Sequence, residues 1–317
     1  MGVVVVGAGI SGVACARVLV AAGVDVTVLD RGRVVGGRMA SKRHDGRPVD
    51  IGASYFTVSD PTFDAVVRDW EARGLARPWT DTFDAFSAGG HETKTGSVRW
   101  AAPAGLRNLV TDLASGLQIR GQHQVESVDR VDGTLTVDGV LADAVVLAMP
   151  DPQAARTLSP ALSDVAAALT DPFQPVLNLS AFWSDRCWKP LDGAFVNDDP
   201  TINWIADDGR RRGDDAPVLV AHSTPDFARP FLDHPADAAE AMTAALRAVL
   251  DIDTAPVMTQ VHRWTFGKPA GQREEPFSLG ADGVGVCGDA WSTKPRVESA
   301  FLSGRALGQA LLQQLDA

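Results

Sequence analysis

The chain has 317 residues, 45% of them hydrophobic, enough for a substantial buried core and above the size at which one core usually divides into two. Its formal net charge of −11 argues against wrapping nucleic acid phosphates and leaves room only for a local basic pocket for a small anion. The cysteines, Cys15, Cys187 and Cys287, are odd in number and far apart, which excludes a CxxC redox pair, a cysteine-rich zinc site and a disulfide framework and fits a cytoplasmic chain.

The opening residues predict strand, tight turn, helix and strand. Val3–Val6 is a short apolar run with no basic stretch before it, so no signal peptide is expected. Three glycines fall within 7–12, Val13, Ala16 and Val20 recur at helical spacing up to Gly23, and residues 24–29 form a second apolar strand. Two such strands around one helix imply a parallel sheet with helices on its faces. Asp60 before Pro61 reads as the N-cap and first-turn proline of a helix that carries Phe63, Val66, Val67 and Trp70 and ends by Gly74. Residues 105–115 repeat the helical pattern, and 144–149 read as a strand. The middle changes character: 176–183, 201–206, Val218–Ser223 and 257–266 read as strands between Pro, Gly and Asp clusters. One helix interrupts them, with Ala241, Met242, Ala245, Leu246, Val249 and Leu250 on its apolar face. Near the end 284–287 is again a buried strand, and Val297, Ala300, Phe301, Gly304, Gly308, Leu311, Leu312 and Leu315 form a helix stripe. No apolar run approaches the roughly 18 residues of a membrane span. The expected organisation is a discontinuous nucleotide-binding domain over 1–60, 100–155 and 275–317, with a mixed-sheet substrate domain inserted over 61–99 and 156–274.

Gly7, Gly9 and Gly12 form GxGxxG between a strand and a helix. The first permits the tight turn, the second lets a pyrophosphate approach the backbone, and the third lets helix and strand pack closely. Asp30 ends the second strand 18 residues past Gly12, near the roughly 20-residue spacing at which a carboxylate meets a ribose 2′-OH, and Arg31 follows it. NAD and FAD share this unit, and two distant features select FAD. Gly36, Gly37 and Arg38 offer flexible backbone and a guanidinium to the pyrophosphate. Gly288 and Asp289 follow the last strand and precede a helix beginning near Val297, so that Asp289 can accept from a ribityl hydroxyl while the helix start faces the flavin or the pyrophosphate. Cys287 sits in the apolar strand, so noncovalent FAD is expected. Gln260, His262 and Trp264 alternate onto one strand face, a wall on which Trp264 can stack against an aromatic substrate. Asn178 and Trp204, on neighbouring strands, are further substrate candidates. Tyr55 is the only tyrosine, so a cage of two tyrosines for an amine cannot be built, although a cage of Trp or Phe could.

Taken together, the opening fingerprint, Gly36-Gly37-Arg38-Met39, the run Asp50-Ile51-Gly52-Ala53-Ser54-Tyr55-Phe56-Thr57, Val261-His262-Arg263-Trp264, and Gly288-Asp289 with the stretch from Val297 to Gly304 resemble a bacterial renalase-type flavoprotein over almost the whole length. The first and last of these motifs are common to the wider flavin amine oxidases; the Tyr-Phe-Thr and His-Arg-Trp segments point to the renalase branch, and Ser54 departs from its glutamine. The resemblance implies an α/β fold with a Rossmann-like FAD-binding domain of the GR2 type. It adds Gly52, Ala53 and Ser54 to the cofactor residues, and Tyr55, His262 and Trp264 to the catalytic ones. It also implies a substrate: NADH or NADPH misreduced at the 2 or 6 position of the nicotinamide ring, returned to NAD(P)+ by hydride transfer to flavin N5 and reoxidation by O2 to hydrogen peroxide. The expected partners are that dinucleotide and O2, with no nucleic acid, membrane or metal, in a monomer or homodimer. Two rival readings share the first fingerprint: an amine oxidase or desaturase on the same scaffold, and a catalytically silent nucleotide-binding or redox-sensing module.

Overall fold

The structure is a computed structural model that describes residues 2–315. Two compact units account for the chain. The first holds the residues up to Met39, Val110–Phe173 and Pro269 onward; the second holds Ala40–Leu109 and Gln174–Lys268.

In the first unit, Val3–Val6 lies between Val26–Leu29 and Ala144–Leu147, and all three run parallel. Gln118–Arg120 and Val284–Val286 extend this parallel sheet on either side, and Ser278–Leu279 closes one edge antiparallel. Val3–Val6, Ala144–Leu147 and Val284–Val286 are apolar on both faces, as parallel strands covered by helices must be. The helix Ile10–Ala21 packs on Val297–Leu315 at close range: a Cβ on Gly304 would stand 1.9 Å from the Ser11 carbonyl oxygen. Glycine in the helix stripe is thus a packing requirement. A three-stranded antiparallel sheet of Val128–Val131, Thr134–Val137 and Val140–Ala142 completes the unit.

A seven-stranded sheet dominates the second unit, in the order Met258–Lys268, Gln174–Phe182, Val218–Ser223, Ile202–Asp207, Gly193–Val196, Arg77–Ser87 and Gly90–Ala101. Every neighbouring pair is antiparallel except Gly193–Val196 with Arg77–Ser87, so the sheet is mixed, as expected. The expected helix after Asp60 spans Pro61–Ala72; the Asp60 carboxylate accepts from the amides of Thr62 at 2.7 Å and Phe63 at 3.3 Å, and Phe63, Val67 and Trp70 are buried. The helices Leu106–Leu113 and Ala239–Leu250 also form where the apolar spacing put them.

The boundaries of the units differ from the expected domains. Residues 40–60 and 100–109 belong to the second unit, because Asp50 accepts from the Leu106 amide and Phe56 pairs with Trp100. Residues 156–173 and 269–274 belong to the first, where the Asp171 carboxylate accepts from the amides of Ala270 and Gly271 and Arg273 pairs with the buried Asp151. The hairpin of Arg77–Ser87 and Gly90–Ala101 was not foreseen: its outer strand is exposed on both faces up to Arg99, so no apolar alternation marks it. Among the described residues no helix is long and apolar enough to cross a membrane.

Candidate functional site

The glycine turn of the first unit is built as its spacing predicts. Gly7 has φ +112°, and a Cβ there would meet the Ala148 carbonyl oxygen at 2.4 Å; one on Gly12 would meet the Gly7 carbonyl oxygen at 2.0 Å. Both are demanded by the fold itself. Gly9 is different: its φ of −77° suits any residue, and a Cβ there would meet nothing within 4 Å. The turn therefore presents bare backbone at the start of the helix Ile10–Ala21, the arrangement a pyrophosphate needs. Asp30 braces it, accepting from the Ala8 and Gly32 amides at 2.6 Å each, while Arg31 beside it is exposed.

Residues far apart in sequence meet in the same unit. Gly37 opens a short 3-10 turn, Gly37–Met39, whose Arg38 forms a bidentate ion pair with Asp289 at 2.5 and 2.8 Å. The Arg38 guanidinium also lies 5.4 Å from the centre of the Phe173 ring. Gly288, at φ +154°, faces open space and donates its amide to Ser303 Oγ, and Val297 begins the last helix. The residues of the first unit thus fit a dinucleotide: open backbone at Gly9 and Gly288, carboxylates at Asp30 and Asp289, and a guanidinium at Arg38. Cys287 is buried, and burial pushes its thiol pKa up to about 12, so its sulfur is a poor nucleophile.

Gly52, Ala53 and Ser54 lie in the second unit, with the candidate substrate residues. Trp204 stands opposite His222, His222 opposite Asn178, and Asn178 opposite His262. Residues directly opposed in antiparallel strands project to one face, so these four form a row across four strands. Trp264 packs edge-on against His262, ring centres 4.8 Å apart, whereas Gln260 on the same strand is exposed. The segment from Ile51 to Ser54 is tied to this row. Trp264 Nε1 donates to the Ile51 carbonyl at 2.5 Å, His222 bonds the Gly52 backbone, and Trp204 Nε1 donates to Ser54 Oγ at 2.9 Å. The Ser54 carbonyl accepts from Arg211 Nη1 at 2.8 Å. Serine at 54 thereby has a defined partner in Trp204. Tyr55 packs with Phe83 and Trp204 at 5.1 and 5.5 Å, and burial raises its pKa.

Behind the segment lies a buried ionic cluster that the sequence reading missed. Asp208, fully buried, accepts from Arg47 at 2.6 Å, from Arg212 at 2.9 Å and from Arg211; Arg212 also reaches Asp50 at 2.9 Å. Burial alone would raise the Asp208 pKa, but Arg211, Arg212 and Arg47 hold it well below the usual carboxylate range. His222 was missed as well. Its alternation with Val218 and Val220 was available in the sequence, but not its alignment with Asn178.

Asn178 is fully buried and accepts from Ser180 Oγ at 3.3 Å; its amide nitrogen and His222 Nε2 have no hydrogen-bond partner among the described residues. Burial, helped by Arg211, pushes the His222 pKa down to about 4. Burial does the same for His262, helped by Lys42, Arg263 and Arg107. Both imidazoles are neutral near neutral pH. As pH falls, the unfolded chain takes up these protons from about 6.5 and the native state resists until about 4, so stability declines as pH falls through that window. Denaturant titrations across that window should show a steeper decline for the native sequence than for a His222→Gln, His262→Gln double variant. Identical slopes would mean that neither imidazole is held neutral.

Residues 5–70 match the family model of NAD(P)-binding Rossmann-like domains, and residues 72–312 match that of flavin containing amine oxidoreductases. Over 56 residues, 18% of the chain, the sequence is 50% identical to hydroxyneurosporene desaturase of Rubrivivax gelatinosus. Over 89 residues, 27% of the chain, it is 35% identical to 4,4'-diapophytoene desaturase (4,4'-diaponeurosporene-forming) of Staphylococcus haemolyticus (strain JCSC1435). These matches span only 11% and 18% of the two relatives. Cyclohexylamine oxidase from Brevibacterium oxydans IH-35A shares the fold, with TM-score 0.79 over 100% of this chain and 99% of that one at 14% identity.

Proposed function

The chain belongs to the flavin containing amine oxidoreductase family, and from that premise we propose that it is an FAD-dependent oxidase of isomeric dihydro-NAD(P), using noncovalent FAD and O2. The balance is one dihydronicotinamide, one O2 and one proton giving one NAD(P)+ and one H2O2. Bound FAD would supply the chemistry, accepting the hydride and passing the electrons to O2.

The observation that carries this reading is the row in the second unit. Its hydrogen-bonding members, Asn178, His222 and His262, are uncharged near neutral pH and lie between Trp204 and Trp264. That combination suits a flat ring bearing a neutral amide. Nothing in the row can hold an ammonium by charge, and the only tyrosine, Tyr55, is occupied with Phe83 and Trp204. In this reading Gly7, Gly9, Gly12, Asp30, Arg31, Gly37, Arg38, Gly288, Asp289 and Val297 hold the FAD. Trp264 and His262 orient the reduced ring; deprotonation by His262 is not needed, because a dihydropyridine gives up hydride without losing another proton first.

The test is anaerobic stopped-flow mixing of the yellow holoenzyme with separated NADH isomers. The 2- or 6-dihydro form should bleach the flavin at least about a hundredfold faster than ordinary 4-dihydro NADH, because moving the reactive hydrogen around the ring displaces it by more than the roughly 1 Å that already costs that much. Equal rates for all isomers would point to a general NADH oxidase. No reduction by any isomer, alongside rapid bleaching by an amine, would give the site to amine oxidation, and no reduction by any donor would favour a silent binding module.

A further inference from the structure

We propose that Asn178 and His222 form a subsite for a primary carboxamide, in which the Asn178 side-chain amide donates to the carbonyl oxygen and His222 Nε2 accepts from the NH2 group; it rests on the functional reading above and names the atoms that would recognise the substituent of the nicotinamide ring. The two residues are directly opposed on the antiparallel strands Gln174–Phe182 and Val218–Ser223, so their side chains share one face of the sheet. Each side chain is held at one end. Ser180 Oγ donates to Asn178 Oδ1 at 3.3 Å, which leaves Nδ2 as the end with N–H groups to give. His222 bonds the Gly52 backbone in the sense that favours a protonated ring, so a ring N–H donates to the Gly52 carbonyl. Because Nε2 has no partner among the described residues, that N–H is on Nδ1, and the neutral ring offers Nε2 as a bare acceptor.

A donor and an acceptor thus stand side by side, both shut off from bulk water, and neither is hydrogen-bonded to the other or to any described residue. Asn178 is fully buried. Unpaired polar atoms in such a place carry a desolvation cost that a matching partner removes, and the order of the two atoms selects the partner. A primary carboxamide carries an acceptor and a donor on one carbon, in the complementary order. A methyl ketone offers the acceptor alone. A carboxylate offers two acceptors and a charge to be desolvated, and an ammonium offers donors only, which leaves Asn178 Nδ2 unmatched. The row continues in a way that suits the ring bearing such a group. His262 stands opposite Asn178 on the far side from His222, and Trp264 packs edge-on against it at 4.8 Å; both are only half-buried, so aromatic surface is accessible beside the polar pair.

Calorimetric titration of the holoenzyme with three dinucleotides reads the pair atom by atom. NAD+ carries the carboxamide, its 3-acetylpyridine analogue replaces the NH2 by a methyl group, and its nicotinic acid analogue carries a carboxylate. The native protein should bind NAD+ about tenfold more tightly than the acetyl analogue, the size expected when a buried acceptor is left unmatched, and the carboxylate analogue more weakly still. His222→Phe should abolish the preference for NAD+ over the acetyl analogue, because neither then has an acceptor to meet. Asn178→Leu should weaken both about tenfold and keep their ratio, because both carry the carbonyl. A general loosening of the site would weaken the two alike in either variant, so the ratio separates recognition from structural damage. The native comparison decides the matter even if a variant folds poorly. Equal native affinity for NAD+ and the acetyl analogue, or a preference that survives His222→Phe, would overturn the subsite and assign the two side chains to each other or to a buried water, with the functional reading intact. A native holoenzyme that binds none of the three and is bleached by an amine would overturn the reading and the subsite together.

Discussion

Replacing Gly9 by valine is expected to leave the apoprotein folded and to weaken FAD binding by about 3 kcal/mol or more, roughly a hundredfold. The two effects separate because Gly9 has an ordinary backbone conformation and no neighbour within 4 Å of a Cβ, so the fold makes no demand for glycine there. Only a ligand pressed against the turn would. Gly12 gives the opposite pattern: its Cβ would stand 2.0 Å from the Gly7 carbonyl oxygen, so Gly12→Ala should lose folded protein whether or not FAD is present. Thermal melts of the apoproteins and titration with FAD check both. Native FAD affinity in Gly9→Val would mean that the turn is structural and the cofactor lies elsewhere.

Asp208→Asn is expected to destabilise the protein by about 3–5 kcal/mol, the cost of leaving buried cations without their partner. Asp208 is the common acceptor of Arg47, Arg211 and Arg212, and without its charge the carboxylate left to Arg211 and Arg212 among the described residues is Asp50, at 4.0 and 2.9 Å. Asp214 is the internal control: it also pairs with Arg47, at 2.7 Å, but its side chain is 42% exposed, so Asp214→Asn should cost no more than about 1 kcal/mol. Urea titrations of the two variants decide the matter, and equal losses would show that burial does not set the strength of this cluster. The pH dependence has a definite sign. The Asp208 pKa is lower in the folded state, so its contribution is complete above about pH 4 and is lost only as pH falls toward a folded value well below the usual carboxylate range. Loss of Asp208 should also loosen Ser54, whose carbonyl Arg211 holds, and so disturb the row that Ser54 shares with Trp204.

The parts whose causes lie within a few turns of chain are legible from the residues alone. The glycine turn, the Asp60 cap and the apolar stripes of the helices depend on contiguous residues, and each appears where its spacing put it. Asp30 was legible for the same reason, because one βαβ unit fixes the distance from Gly12 to the end of the second strand. Which strands lie side by side, and in what register, depends on long-range packing. His262, Asn178, His222 and Trp204 come from four separate strands, and alternation along any one of them names a face but not a neighbour; a slip of one residue would turn a whole strand's side chains over. The pairing of Arg38 with Asp289, 251 residues apart, is of the same kind. So is the buried cluster around Asp208. In sequence it reads as Asp207-Asp208-Gly209 followed by three arginines, a run of charge that would ordinarily face water. It is buried because Asp50 and Arg47 arrive from a distant hairpin to complete the ion pairs, and no local pattern can announce a partner that far away.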